Sequence, residues 1–222
     1  MDKGKFCNVF ILCFIIFMMI FASTALAADP IKIGIIQGIS GAYEIYGKAE
    51  VTGFKMGLEY FTKGTNKIIG RDVEILVEDT QLKAARAKML LTKLYSDDKV
   101  DLAVGPTSSG VALAVLPVAQ EFKKILIVEP AVADSITGKN WNRFIFRTGR
   151  NSRQDAISNA VAVSKPGVSI ACIGQDYAFG RDGIAAYKRA AEKLGYYDLF
   201  LIDIETGDIV YSVLKETDFA TN

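Results

Sequence analysis

The 222-residue chain contains no histidine. That absence excludes Ser-His-Asp and Cys-His nucleophile pairs and removes the commonest ligand of zinc and copper. Cysteine is almost as scarce: Cys7 and Cys13 lie near the N-terminus, and only Cys172 lies beyond residue 27. A single thiol has no internal disulfide to form. Cys172 sits in the apolar run 168–174, which reads as a buried strand, so it reads as a packed, inert thiol rather than a reactive one. Charge of one sign is also missing, with 26 Lys+Arg against 25 Asp+Glu. The chain therefore presents no field suited to nucleic acid or anionic lipid. No coherent acid/base pair of Lys, Tyr or carboxylates stands out, and the balance shifts from catalysis toward binding.

What is present begins with a leader. Lys3 and Lys5 precede a nearly unbroken apolar run over 6–22, and Ala25-Leu26-Ala27 closes it with the small-x-small pattern of a signal-peptidase site. The run also approaches the length of a membrane-spanning helix, so an uncleaved anchor is the alternative. Either way the remainder faces the outside of a cytoplasmic membrane, and the expected location is the periplasm. Phe10-Ile11-Leu12 ahead of Cys13 lacks the small residues of a lipoprotein box.

Beyond the leader, short apolar strands alternate with amphipathic helices. Strands are expected at 31–37, 73–77, 100–104 and 125–128. Between them lie helices with Phe54, Gly57, Leu58 and Phe61, then Leu82, Ala85 and Met89, then Val111, Ala114, Val115, Val118 and Phe122 on their inward stripes. Pro117 is expected to kink the last of these, and residues 63–70 read as a turn. This alternation means an α/β fold, a parallel sheet with helices on both faces. An extra strand at 143–147 and a polar, glycine-bearing stretch at 148–152 mark a boundary near residue 149. A smaller unit follows, with a helix from Ile157, Ala160 and Val161, a strand at 168–174, a helix lined by Ile184, Tyr187, Ala191 and Leu194, and a strand at 198–204. The expected division is 1–27 leader, 28–148 first α/β lobe and 149–222 partial second lobe.

Ligands of such sheets bind at the carboxyl ends of the strands, where loops become helix N-termini. The rule selects loops 38–47, 79–81, 105–110 and 129–134. Gly105-Pro106-Thr107-Ser108-Ser109-Gly110 opens a helix, whose first N–H groups have no intrahelical partner and whose dipole is positive. A serine hydroxyl beside them suits a carboxylate. Equally, Ser108 or Ser109 is simply the N-cap. No Gly-Lys-Ser/Thr follows, as a Walker loop requires, and no G-x-S-x-G elbow is present there. In loop 129–134 small residues allow close approach to the backbone, though ordinary turn chemistry explains them as well. Tyr43 and Tyr46 in the first loop offer an aromatic wall or a packed core ring. Asp176-Tyr177-Ala178-Phe179-Gly180-Arg181-Asp182 mirrors these loops in the second unit, with Arg181 and Asp182 also readable as a solvated pair.

Five pieces in register resemble the leucine/isoleucine/valine-binding type of periplasmic solute-binding protein, the receptor of an ABC importer. They are Ile33-Gly34 through Ser40-Gly41 with Tyr46-Gly47; Val77 to Asp79; Gly105 to Ser109; Glu129-Pro130-Ala131; and Asp176 to Gly180. The resemblance implies the type I periplasmic-binding-protein fold, two doubly wound lobes that close on an amino acid. It implies that Ser108 or Ser109, with backbone near Ala131 and Ala133, holds the ligand carboxylate, that Tyr46 stands against the ligand side chain, and that Phe179 closes from the second lobe. Ala133 stands where amino-acid binders commonly have a hydroxyl, and Phe179 where branched-chain binders often have tyrosine, so two polar contacts are absent from the pattern. The stretch 217–222 resembles a mid-lobe motif, which implies C-terminal truncation and weak or absent binding by this chain. Implied partners are a small-molecule ligand and membrane permease subunits, with no cofactor, no metal, no nucleic acid and a monomeric state. A ligand-sensing ectodomain or regulator on the same fold is the alternative, and an enzyme is a third reading.

Overall fold

The computed structural model describes residues 28–163, 169–194, 198–202 and 209–212. The expected leader, with Cys7 and Cys13, and the motif at 217–222 lie outside the described residues.

β1 (Ile31–Gln37) is apolar on both faces and runs through the middle of the first sheet. A 3-10 turn at Gly41–Tyr43 leads into α1 (Glu44–Thr62). β2 (Lys67–Ile68) and β3 (Arg71–Asp79) follow, then α2 (Ala84–Ser96), β4 (Leu102–Val104), α3 (Ser109–Phe122), β5 (Ile125–Val128), the single turn α4 (Asp134–Thr137) and β6 (Ile145–Arg147). The sheet order is β2-β3-β1-β4-β5-β6, with every neighbouring pair parallel except β2 and β3. Beyond it come α5 (Ser152–Val163), β7 (Ser169–Cys172), α6 (Ala178–Lys193), β8 (Asp198–Ile202) and β9 (Ile209–Ser212), with a separate β7-β8-β9 sheet.

Parallel pairing gives the first sheet two unlike faces. Ala103, Leu126 and Ile145 lie in register and are fully buried under α2 and α3, together with Leu91, Leu94, Val115 and Leu116. On the other face, among the described residues, only α1 lies over the strands, and its buried residues are just Gly47 and Thr62.

Three sequence expectations are corrected. α2 begins at Ala84, after Gln81 and Leu82 have taken left-handed backbone at φ 51 and 57. That turn rotates the helix, so its buried stripe is Ala87, Leu90, Leu91, Leu94 and Tyr95, while Ala85 and Met89 face solvent. In α1, Phe54 and Leu58 turn inward but Gly57 and Phe61 do not. The turn expected at 63–70 contains the two-residue strand β2, hydrogen-bonded to β3. Separately, α3 carries Pro117 inside one continuous helix.

Candidate ligand-binding site

Three strand-to-helix crossings converge at the carboxyl ends of β1, β4 and β5. The first carries the chain from Gln37 into α1. Gly47, in the first turn of α1, lies so close to the preceding loop that a Cβ there would sit 2.3 Å from the Gly38 carbonyl oxygen. Asp79, at the end of β3, ties this loop down. Its carboxylate accepts from the amides of Ile39 at 3.1 Å and Gln81 at 2.9 Å, and from the Ser40 hydroxyl. Burial pushes the Asp79 carboxyl up, but those hydrogen bonds and the Arg86 charge outweigh it and hold it below its ordinary value.

The second crossing runs from Gly105 to Ser109. Gly105 adopts φ +113, and a Cβ there would lie 2.2 Å from the Ile36 carbonyl oxygen. Ser108 is the N-cap residue of α3 in extended backbone, and its side chain makes no capping hydrogen bond. Ser109 is buried, and its hydroxyl oxygen accepts from the Ala133 amide at 3.2 Å.

The third crossing contains Ala131 and Ala133, both buried. The Arg147 guanidinium donates to the carbonyls of Val132 at 2.9 Å and Ala133 at 2.6 Å. The Ser152 hydroxyl donates to Val132 as well. Both backbone polar groups of Ala133 are therefore engaged inside the protein, whereas half-buried Ser108 keeps its hydroxyl at the mouth of the helix.

Gln37 joins the three crossings from below. It is 0% exposed, donates from Nε2 to the Glu129 carbonyl at 2.9 Å and to Glu50 at 3.1 Å, and accepts from the Thr107 hydroxyl. Thr148 donates to the Glu129 carboxylate. Burial, reinforced by the charge of Glu129, pushes the Glu50 carboxyl from 4.5 up to about 7. The folded protein thus binds this proton more tightly than the unfolded chain, and stability falls as pH rises from 4.5 through about 7. Glu50→Gln is expected to remove that slope. Urea melts at about pH 8 should find it more stable than the parent by about 1 kcal/mol, allowing for the half-exposed position, with the gap closing near pH 4. Equal stability at the higher pH would contradict the assignment.

The second unit meets these loops through the start of α6. The Tyr43 and Tyr177 hydroxyls are 2.8 Å apart. Burial, followed by this hydrogen bond, raises the Tyr177 phenol above its ordinary value. The Tyr46 ring stands edge-on to Tyr43 at 6.1 Å, and Phe179 lies 5.9 Å from Tyr177. Four rings therefore cross from one unit to the other. Of the two expected ligand rings, Tyr46 is 61% exposed beside Tyr43. Phe179, 40% exposed, lines a cavity of about 780 Å³ with Arg150, Asp155, Gly174 and Gln175. Tyr177 also approaches α3: a Cβ at Gly110 would lie 3.8 Å from its ring. Two further contacts close the seam, Ser135 amide to Asp182 at 2.8 Å and Arg189 to Asp134 at 3.2 Å.

The structure thus gathers Ser108, Ser109, Ala131 and Ala133 at one place and sets Tyr177 and its neighbour Phe179 beside it. Sequence reasoning missed Gln37, Arg147 and Tyr177 as organisers. A polar residue closing an apolar strand was a usable signal for Gln37; Arg147, whose Nε is buried without a partner, gave none. Cys172 is half-buried, and burial raises its thiol, consistent with an unreactive packed group.

An α/β protein whose polar loops gather at strand ends, facing a second α/β unit, has the architecture of a small-ligand binder. Residues 30–219 match the family described as periplasmic binding protein, and the chain belongs to that family. It is 29% identical over 177 residues to a Leu/Ile/Val-binding protein homolog of Brucella abortus, covering 78% of this chain and 44% of the relative. Among solved structures it is similar to an ABC-type branched-chain amino acid transporter protein from Rhodopseudomonas palustris, at 57% identity and TM-score 0.66, covering 77% of this chain and 45% of that one. A solute-binding protein of the same organism, in complex with 4-hydroxybenzoate, is 32% identical with TM-score 0.65, covering 75% of this chain and 45% of that one. The chain spans about half the length of the curated relatives it matches. The fold is the type I periplasmic-binding-protein fold, and the family is one of solute-binding proteins of ABC transporters.

Proposed function

We propose that the protein is the periplasmic receptor of an ABC importer, exported by its leader, and that it captures a small carboxylate between the mouth of α3 and the Tyr43–Tyr177 bridge. The ligand is an amino acid of the branched-chain type or a small aromatic acid; the similar proteins of Rhodopseudomonas palustris provide the motive for both. The carboxylate docks on the free amides of the first turn of α3 and the Ser108 hydroxyl, and the ligand body lies toward Phe179 and Tyr46. Ser109, Ala131 and Ala133 shape the floor. Membrane permease subunits would read the closed form, and the receptor would act as a monomer.

One observation carries this reading: the Ser108 side chain leaves the start of α3 uncapped, directly opposite Tyr177. An uncapped helix mouth attracts an anion through its dipole and unpaired donors. Ligand-observed NMR with leucine, isoleucine, valine, benzoate and 4-hydroxybenzoate tests it. Saturable binding of one ligand class is expected, at a Kd of about 1 mM or tighter. Ser108→Ala should weaken it several-fold. No saturable binding by any of the five, or binding indifferent to Ser108→Ala, overturns the site.

A further inference from the structure

The segment from Val132 to Ser135, at the end of the third crossing, is a junction between the two units. Arg147 and Ser152 hold the Val132 carbonyl from the chain that follows. The Arg153 amide donates to one oxygen of the Asp134 carboxylate at 2.9 Å. From the second unit, α6 meets the same segment. Asp182 accepts from the Ser135 amide at 2.8 Å, and Arg189 donates to the other oxygen of Asp134 at 3.2 Å. α4 opens behind Ala133, whose methyl group accepts nothing, so the Ser135 amide finds its acceptor in α6 rather than in its own turn. The sequence also allowed Arg181 and Asp182 to be a solvated pair. Arg181 pairs instead with Asp176 at 2.7 Å, and Asp182 faces the first unit.

The spacing along α6 explains how one helix serves both units. Ala178, Asp182 and Arg189 follow one another by four and then seven residues, so they share a face. Ala178 packs against the core of the first unit. Ala190 and Ala191, on another face, pack against Ala160 in the second unit's own core. Tyr177, just ahead of the helix, adds the bond to Tyr43. Charge favours the same docking. The Arg147 guanidinium, bonded to the Val132 and Ala133 carbonyls, lies within the field of both Asp134 and Asp182. Asp182 thus meets an amide donor and a cation together, which a neutral apolar side chain there could not use.

We propose that Asp182 is a positioning residue for ligand capture: by accepting from the Ser135 amide it registers α6 on the third crossing, and so fixes how Tyr177 and Phe179 stand against the mouth of α3. Ala133 transmits the effect. It bonds Ser109 through its amide and Arg147 through its carbonyl, so a shift at Ser135 is passed to the floor of the site. The docking of α6 stands whatever ligand the loops take; its effect on capture rests on the proposed site at the α3 mouth.

Amide hydrogen exchange, followed by NMR on the whole chain without ligand, tests the docking directly. Asp182→Ala should speed exchange at Ser135 at least about tenfold, and Asp182→Asn, whose side-chain oxygen still accepts, should speed it less. Tyr43→Phe removes only a hydroxyl at the far end of the α6 contact. It should also speed Ser135 exchange, by about threefold, because both contacts open when α6 lifts. A bond of local worth alone would leave Ser135 indifferent to Tyr43→Phe. Unchanged Ser135 exchange in Asp182→Ala or in Tyr43→Phe overturns the proposal. Capture is the second arm, with leucine, isoleucine, valine, benzoate and 4-hydroxybenzoate as probes. Whichever binds the parent should bind Asp182→Ala at least about fivefold more weakly, with part of the loss recovered in Asp182→Asn. Equal affinity overturns the positioning role. Ser108→Ala separates the two readings, since it should weaken capture with Ser135 exchange unchanged. If none of the five binds, the site falls and the positioning role with it, while exchange at Ser135 still decides the docking.

Discussion

Gly105→Ala is expected to leave little folded protein. The residue sits at φ +113, a backbone region that L side chains rarely adopt, and the added methyl would lie 2.2 Å from the Ile36 carbonyl oxygen. That carbonyl belongs to the central strand β1 and cannot rotate aside without breaking the ladder to its neighbours. The backbone penalty alone is about 1–3 kcal/mol, and the steric displacement of a central strand adds to it. A total of about 4 kcal/mol or more is expected, comparable with the lower end of a domain's whole stability. Chemical denaturation followed by circular dichroism reads the loss. A variant within 1 kcal/mol of the parent, by the usual scale of surface changes, would show that the loop after β4 does not press on β1 at Gly105.

Gln37→Ala is expected to be the next most damaging change. The side chain is wholly buried and bonds the Glu129 carbonyl, the Glu50 carboxyl and the Thr107 hydroxyl at once. Removing it opens a void and leaves three polar groups without a partner, each costing about 1–3 kcal/mol when buried. Because Glu50 is only half-buried and can turn to water, about 3 kcal/mol is the expected loss. Gln37→Glu should be worse above neutral pH than Gln37→Ala, since it places a third carboxylate between Glu50 and Glu129. The two variants melted at about pH 5 and pH 8 give the comparison, and a Gln37→Glu variant no more pH-sensitive than the parent would remove Gln37 from the centre of this network.

The contrast between those two residues explains what was readable beforehand. β1 and β5 announce themselves as runs of Ile, Leu and Val with polar breaks at each end, so their bounds agree with the expectation. Strand-to-helix crossings follow from the same alternation, and they place Ser108, Ser109, Ala131 and Ala133 together. Helix faces were harder. The stripe of α2 was misassigned because its phase depends on where the helix starts, and the left-handed turn at Gln81 and Leu82 moved that start. α1 misled for a different reason: it buries only Gly47 and Thr62, so Gly57 and Phe61 follow helical spacing without being packed. β2 and α4, of two and four residues, are too short to leave a period. Which distant partner a side chain reaches left no trace in local pattern. Gln37 and Glu129 are 92 positions apart, and Tyr43 and Tyr177 are 134 apart.

The seam between the two units has a consequence of its own. Its bonds run hydroxyl to hydroxyl, amide to carboxylate and guanidinium to carboxylate, with Ala178 as an apolar contact from the second unit to the first core. Water can replace each of those polar partners when the halves part, and the net worth of one such exchange is only about 1 kcal/mol. Separation therefore strands few donors, and the surface it bares is that of the Tyr43 and Tyr177 rings and Ala178. A guest that touches both units and prefers one posture would then have only these few exchanges to work against.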